Sequence, residues 1–89
     1  MNKHVNITVT GRVQGVGFRY STFSIARVLG IKGFVRNLPN KYVYIEAEGP
    51  ENLITDFINW CRKGPEYARV DEIVYHEAEL KDFADFQIA

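Results

Sequence analysis

Residues 4–29 read HVNITVT-GRVQGVGFR-YSTFSIARVL, and this stretch decides how the chain folds. In His4–Thr10 the apolar residues Val5, Ile7 and Val9 alternate with polar ones, which predicts a strand buried on one face. Gly11 to Gly17 carries three glycines and reads as a loop. From Tyr20 to Leu29 the spacing turns helical, because Thr22, Phe23, Ala26 and Leu29 share a face and Gly30 comes next as a C-terminal cap. Ile31–Leu38 then reads as a second strand. A strand, a helix and a strand in this order form a crossover whose two strands run the same way.

Working outward, Pro39-Asn40-Lys41 is a turn, and Tyr42–Glu48 a third strand with Val43, Ile45 and Ala47 facing inward and Tyr42, Tyr44 and Glu46 outward. A second helix is expected to start with Pro50 at its first position and Glu51 in its first turn. Leu53, Phe57, Trp60 and Cys61 give it an apolar stripe, and Gly64-Pro65 ends it after Arg62 and Lys63. Arg69–Leu80 is a fourth strand and Phe86–Ile88 a short fifth. The order β-α-β-β-α-β predicts an α+β, ferredoxin-like sandwich over residues 1–89, an antiparallel sheet with two helices on one face. Because the first two strands run in parallel, their C-terminal ends lie at the same sheet edge. The Gly11–Arg19 loop and Asn37 are therefore expected to meet there.

With 89 residues the chain has room for one domain, and 46% hydrophobic with 25% charged residues describes a globular one. One cysteine excludes a disulfide framework within the chain. No apolar run approaches the ~18 residues of a membrane span, and Met1 to Thr10 lacks the pattern of a signal peptide. A cytoplasmic monomer is expected. Net charge is zero, which argues against general nucleic-acid binding. That total hides a segregation. Residues 1–45 carry seven Lys and Arg and no acid, while residues 46–89 carry all eleven acids and four Lys and Arg. Either the halves pair with each other or the first half presents an anion-attracting surface.

The loop Gly11-Arg12-Val13-Gln14-Gly15-Val16-Gly17-Phe18-Arg19 suits an anion. Glycines allow a backbone turn whose amides converge on one concavity, a helix N-terminus comes directly after, and Arg19 adds a fixed charge with a planar fork. Phosphate uses all of these features. The loop is neither a Walker loop nor a dinucleotide fingerprint, because the glycine spacing is wrong and there is no Lys-Ser/Thr pair.

Gly11-x-Val13-Gln14-Gly15-Val16-x-Phe18-Arg19 resembles the first signature of the acylphosphatase family. Gly33-Phe34-Val35-Arg36-Asn37, with Val43 and Gly49 beyond it, resembles the second, and Ala68-Arg69-Val70-Asp71 is similar too. The resemblance implies hydrolysis of the carboxyl–phosphate bond of a small acyl phosphate, without metal or cofactor. It implies that Arg19 and the amides of Gly15, Val16, Gly17, Phe18 and Arg19 bind phosphate, and that Asn37 orients the attacking water. An acyl phosphate has a good leaving group, so positioning and charge stabilisation suffice and no His, Asp or Glu is needed as a base.

The chain departs from that family at Lys41, where a turn glycine is usual; Asn40 is expected to take the left-handed position instead, or the turn to change type. His4 and His76 have no Cys or His cluster around them and are not read as metal ligands, and Cys61 and Trp60 read as packing. Two other functions fit the same element order. One is a single-stranded RNA module stacking bases on Phe34, Tyr42 and Tyr44, although the Gly15 loop would then have no purpose. The other is a non-catalytic anion-binding domain, which would be expected to lack Arg19 or Asn37.

Overall fold

Alternation of Val5, Ile7 and Val9 builds strand β1 (Asn2–Arg12), which continues past the expected start of the loop. Next in chain order come α1 (Phe18–Leu29), β2 (Lys32–Asn37), β3 (Val43–Pro50), α2 (Glu51–Lys63), β4 (Arg69–Ala78) and β5 (Phe86–Ile88). The computed structural model describes residues 1–89. The sheet order is β4-β1-β3-β2-β5. β1 and β2 flank β3 and both run against it, with Ile7 opposite Ile45 and Val35 opposite Ile45 from the other side. Pro50 closes β3 with an extended ψ of 139°, so α2 starts one residue later than expected.

The helices cover the face that carries Val5, Ile7, Val9, Val35, Val43, Ile45 and Ala47, and these join one continuous core with Phe18, Ala26, Ile54 and Phe57. Each fully buried side chain of this kind contributes roughly 1.5–3 kcal/mol. The buried stripe of α2 is Ile54, Phe57, Ile58 and Cys61, at i, i+3, i+4, i+7 spacing. Leu53 and Trp60, expected on that stripe, sit on its flanks half-buried. Burial pushes the Cys61 thiol above its ordinary range, as befits a packing residue.

β4 and β5 occupy opposite sheet edges, so residues 79–85 must cross the face that the helices leave open. Four strand spacings are roughly 19 Å, and eight residue steps reach at most roughly 28 Å, so an almost straight strap suffices. The strap leaves β4 where β1 begins, since Ala78 lies opposite His4. It reaches β2 where that strand begins, and Gly33 N donates to Asp85 O at 2.9 Å. The chain can then only run alongside β2. β5 is accordingly parallel to it, one parallel pair in a sheet expected to be antiparallel throughout.

The strap also explains two buried acids. Tyr44 and Glu46 do point away from the helices, but the strap covers Glu46 and Glu48, which are 7% and 6% exposed. Glu48 accepts hydrogen bonds from the backbone amides of Lys81, Asp82 and Phe83. His4, fully buried, meets Glu79 O at 2.6 Å through Nδ1 and Glu46 Oε1 at 2.9 Å through Nε2, so both ring nitrogens have a partner. Phe83 packs edge-on against both His4 and Phe34. A ring already rests on Phe34, which removes it from any open stacking platform.

The β2–β3 turn resolves the Lys41 question differently from expectation. Lys41 itself is left-handed, with φ 74°, and Asn40 is not. Asn40 Oδ1 instead accepts from Tyr42 N at 3.1 Å, and Lys41 N donates to Leu38 O at 3.1 Å. These bonds hold the third turn residue in place, and the lysine carries the strain, about 1–2 kcal/mol. Lys41→Gly is therefore expected to raise unfolding free energy by about 0.5–1 kcal/mol in urea titration, net of glycine's extra chain entropy; an unchanged or lower midpoint would contradict this.

Acid should loosen the strap. Burial alone would raise the Glu48 pKa, but the amides of Lys81, Phe83 and Asp82 outweigh it and hold the carboxyl below its ordinary 4.5. Burial likewise opposes, and hydrogen bonds from Tyr44 and His4 exceed it, at Glu46. A depressed folded pKa gives stability that is complete above the unfolded value and lost as pH falls through the folded one. Stability should thus decline below about pH 4.5. Glu48→Gln should be less stable at neutral pH, with a shallower decline on acidification tracked by circular dichroism.

Candidate active site

β1 and β2 end at one sheet edge, and the segments that continue from them face each other across a small cleft. Gly15 and Gly17, with φ of 73° and 77°, turn the backbone between β1 and α1 through two left-handed positions. The first amide of α1 to find a carbonyl is Ser21 N, on Gly17 O at 3.0 Å. The six amides before it, Gly15 to Tyr20, donate to no group in the chain. Some of these are the orphans that every helix start has, and the turn through the two glycines adds more.

Two side chains anchor this loop to the core. Phe18 is buried, with its ring 5.7 Å from that of Trp60, and Val16 packs against the core. Of the residues expected to hold phosphate, Val16 and Phe18 thus keep their side chains in or against the core, leaving the backbone as their polar contribution. Gly15, Gly17, Phe18, Arg19 and Asn37 do line one cleft of about 180 Å³. Arg19 makes no ion pair. Asn37 Oδ1 is buried and has no hydrogen-bond partner. An orphaned buried acceptor costs about 1–3 kcal/mol, a cost that a ligand or water removes.

Gln14 fixes the distance between the two halves of the site. Its Nε2 donates to Leu38 O and to Tyr42 O, each at 2.9 Å, while Leu38 N donates to Tyr42 O at 2.8 Å. One carboxamide therefore clamps the loop to both ends of the turn after Asn37. The motif that contains Gln14 assigns it no task. Its partners lie 24 and 28 residues away, and nothing in local spacing points to them. Tyr20 and Ile88 also line the cleft, and local spacing conceals them for the same reason.

The segregated charge resolves in favour of an anion-attracting surface. Among the seven Lys and Arg of residues 1–45, only Lys3 pairs with an acid, on Glu51 and Glu77. Arg27 and Arg36 lie over the rings of Phe23 and Tyr44, and Arg12, Arg19, Lys32 and Lys41 are left without an acidic partner. No group of three or more His, Cys, Asp or Glu is arranged to hold a metal ion, and no helix is long and apolar enough to cross a membrane.

Comparison with known proteins bears on the family and the fold. The Acylphosphatase family model matches residues 5–88. An acylphosphatase of Archaeoglobus fulgidus is 45% identical over 85 residues, covering 96% of each chain. The solved structure of an acylphosphatase from Coxiella burnetii superposes with a TM-score of 0.96 at 33% identity, over 99% of this chain and 93% of that one. Acylphosphatase from Bacillus subtilis gives a TM-score of 0.95 at 37% identity, over 100% and 99%.

Gln14→Ala would leave the Leu38 and Tyr42 carbonyls without this donor, and should cost about 1–2 kcal/mol of stability in urea unfolding. Gln14→Glu should cost at least as much at neutral pH, because a carboxylate would then face two carbonyl oxygens. A glutamate variant as stable as the parent would show that the clamp carries no load.

Proposed function

The chain belongs to the acylphosphatase family and hydrolyses acyl phosphates, and on that premise we propose how its residues share the work. The phosphoryl group sits on the free amides of Gly15 to Arg19, with Arg19 also gripping its oxygens through the guanidinium fork. A water enters between this group and Asn37. Asn χ2 is a soft torsion, so a small rotation brings Oδ1 onto that water, and the orphaned acceptor gains its partner.

The water oxygen bonds to phosphorus as the bond from phosphorus to the carboxyl oxygen breaks. The electron pair of that bond leaves on the carboxylate. Asn37 is too weak a base to take the water's proton, which passes to a phosphoryl oxygen, giving carboxylate and inorganic phosphate. Charge on the equatorial oxygens meets fixed donors that need no reorganisation as the reaction proceeds. Gln14 serves as a positioning residue, since it sets the separation over which water and phosphorus meet.

The observation that carries this reading is Asn37 Oδ1, a buried acceptor without a partner on a residue that lines the same cleft as Arg19, which has no ion pair, and the unpaired amides of Gly15 and Gly17. A cofactor has no step to serve in this mechanism, and a cytoplasmic monomer is part of the same proposal.

Benzoyl phosphate hydrolysis in EDTA tests the two side chains separately. Arg19→Ala should lower kcat/KM by about 10³-fold, because binding and transition-state charge both depend on it. Asn37→Ala should lower kcat by about 10²–10³-fold with little change in KM, because it acts on the water and not on the bound phosphate. Wild-type kcat/KM in the first variant, or wild-type kcat in the second, would remove the corresponding role.

A further inference from the structure

The polar wall accounts for the phosphoryl half of the substrate and leaves the acyl half unassigned. A cleft of about 180 Å³ is small. Sites that enclose a whole ligand run from roughly 300 to 1,000 Å³. With the phosphoryl group on the amides and Arg19, the acyl group must project over the rim. The apolar residues of the cleft divide into two pairs. Val13 and Phe18 are buried in its floor, whereas Tyr20 and Ile88 stand at the rim, 69% and 42% exposed.

Both rim residues are placed by the elements that hold the polar groups. Tyr20 comes directly after Arg19 in the first turn of α1, with its ring 6.4 Å from that of Phe23. Ile88 pairs with Val35, two residues before Asn37, and it reaches this edge only because the strap makes β5 run alongside β2. A single exposed apolar side chain needs no explanation. Two of them on the rim of one cleft, one beside each polar residue, match a group that is apolar on both sides. Tyr20 also lines a second, open groove of about 350 Å³ together with Ile25, Val28 and Trp60, so apolar surface lies on its other side as well.

We propose that Tyr20 and Ile88 form an acyl subsite that selects acyl phosphates with an apolar, ring-sized or longer acyl group over small ones. The proposal rests on hydrolysis taking place in the cleft of Arg19 and Asn37. Acetyl and benzoyl phosphate share the phosphoryl group and differ in what reaches the rim, so the ratio of their kcat/KM values isolates the subsite from the chemistry.

The ratio is to be measured for the intact chain and for Tyr20→Ser, Ile88→Ser and Tyr20→Phe, with inhibition by inorganic phosphate determined for each. The benzoyl-to-acetyl ratio should fall about five- to tenfold in each serine variant, the range expected for losing part of one apolar contact. Phosphate inhibition should stay within about twofold, and Tyr20→Phe should keep the parent ratio. A ratio unchanged in both serine variants would overturn the subsite. So would a Tyr20→Ser variant that loses both substrates equally along with phosphate affinity, since Tyr20 would then serve the phosphoryl group. Parent protein whose turnover phosphate does not inhibit would overturn the reading of the cleft, and the subsite with it.

Discussion

β1 and β2 flank β3 and both run against it, so their C-terminal ends meet at one edge of the sheet. Everything at the site depends on that constraint. The residues after β1 supply a turn of free amides and the start of a helix, while the last residue of β2 is Asn37. The two groups lie 18 residues apart in sequence, Arg19 to Asn37, yet line the same cleft. The shared direction of the two strands brings them near each other, and the Gln14 carboxamide then sets the separation by holding the loop to both ends of the β2–β3 turn.

A site of this kind departs from the rules that stabilise the rest of the fold. Amides are left unpaired, an asparagine oxygen is buried without a donor, and a lysine occupies a left-handed turn position. The buried oxygen and the left-handed lysine each cost on the order of 1 kcal/mol or more, whereas the amides of Gly15, Gly17, Arg19 and Tyr20 belong to exposed residues. At the cleft a water would give the oxygen its donor, and a phosphoryl group would take up the amides. Lys41 lies one residue before Tyr42, whose carbonyl Gln14 holds, and its strain preserves the turn that the clamp needs. Departures of the same kinds away from the site are Asn6 Oδ1, also buried without a partner, and Asp82, with φ 56°.

Distance along the chain governs what the sequence discloses. Strand and helix order, the parallel relation of the first two strands, and the meeting of Arg19 with Asn37 all come from periods of 2 and 3.6 residues, glycine positions and one crossover. The residues that escape such a reading share a physical feature: their partners are distant in the chain. Gln14 bonds a turn that begins 24 residues later. Ile88 reaches the cleft through strap geometry that no local pattern encodes. Glu46 obeys the predicted alternation and still ends up buried, because the strap from beyond β4 folds across it. Lys41 is legible as a misfit, but whether it or Asn40 carries the positive φ depends on hydrogen bonds with Leu38 and Tyr42 that only the closed turn makes.

The charge segregation along the chain becomes a separation in space for the same topological reason. β3 runs away from the site, from Val43 opposite Asn37 to Gly49 opposite Lys3, and its acids Glu46 and Glu48 come late in that run. The strap that gathers them, with Glu79 beside His4 and Lys81 beside Glu46, crosses nearer the end where β1 and β2 begin. At the site end, the nearest acid on the neighbouring strand, Asp71, is bonded by Arg69 at 3.0 Å. Acids that would repel an acyl phosphate are thus used to hold the strap, and the strap in turn carries Ile88 to the cleft. Arg12, Arg19 and Lys41 of the first half stay free of acids at the edge where an anion would enter, so a protein of zero net charge can still attract a doubly negative substrate over the last few ångströms.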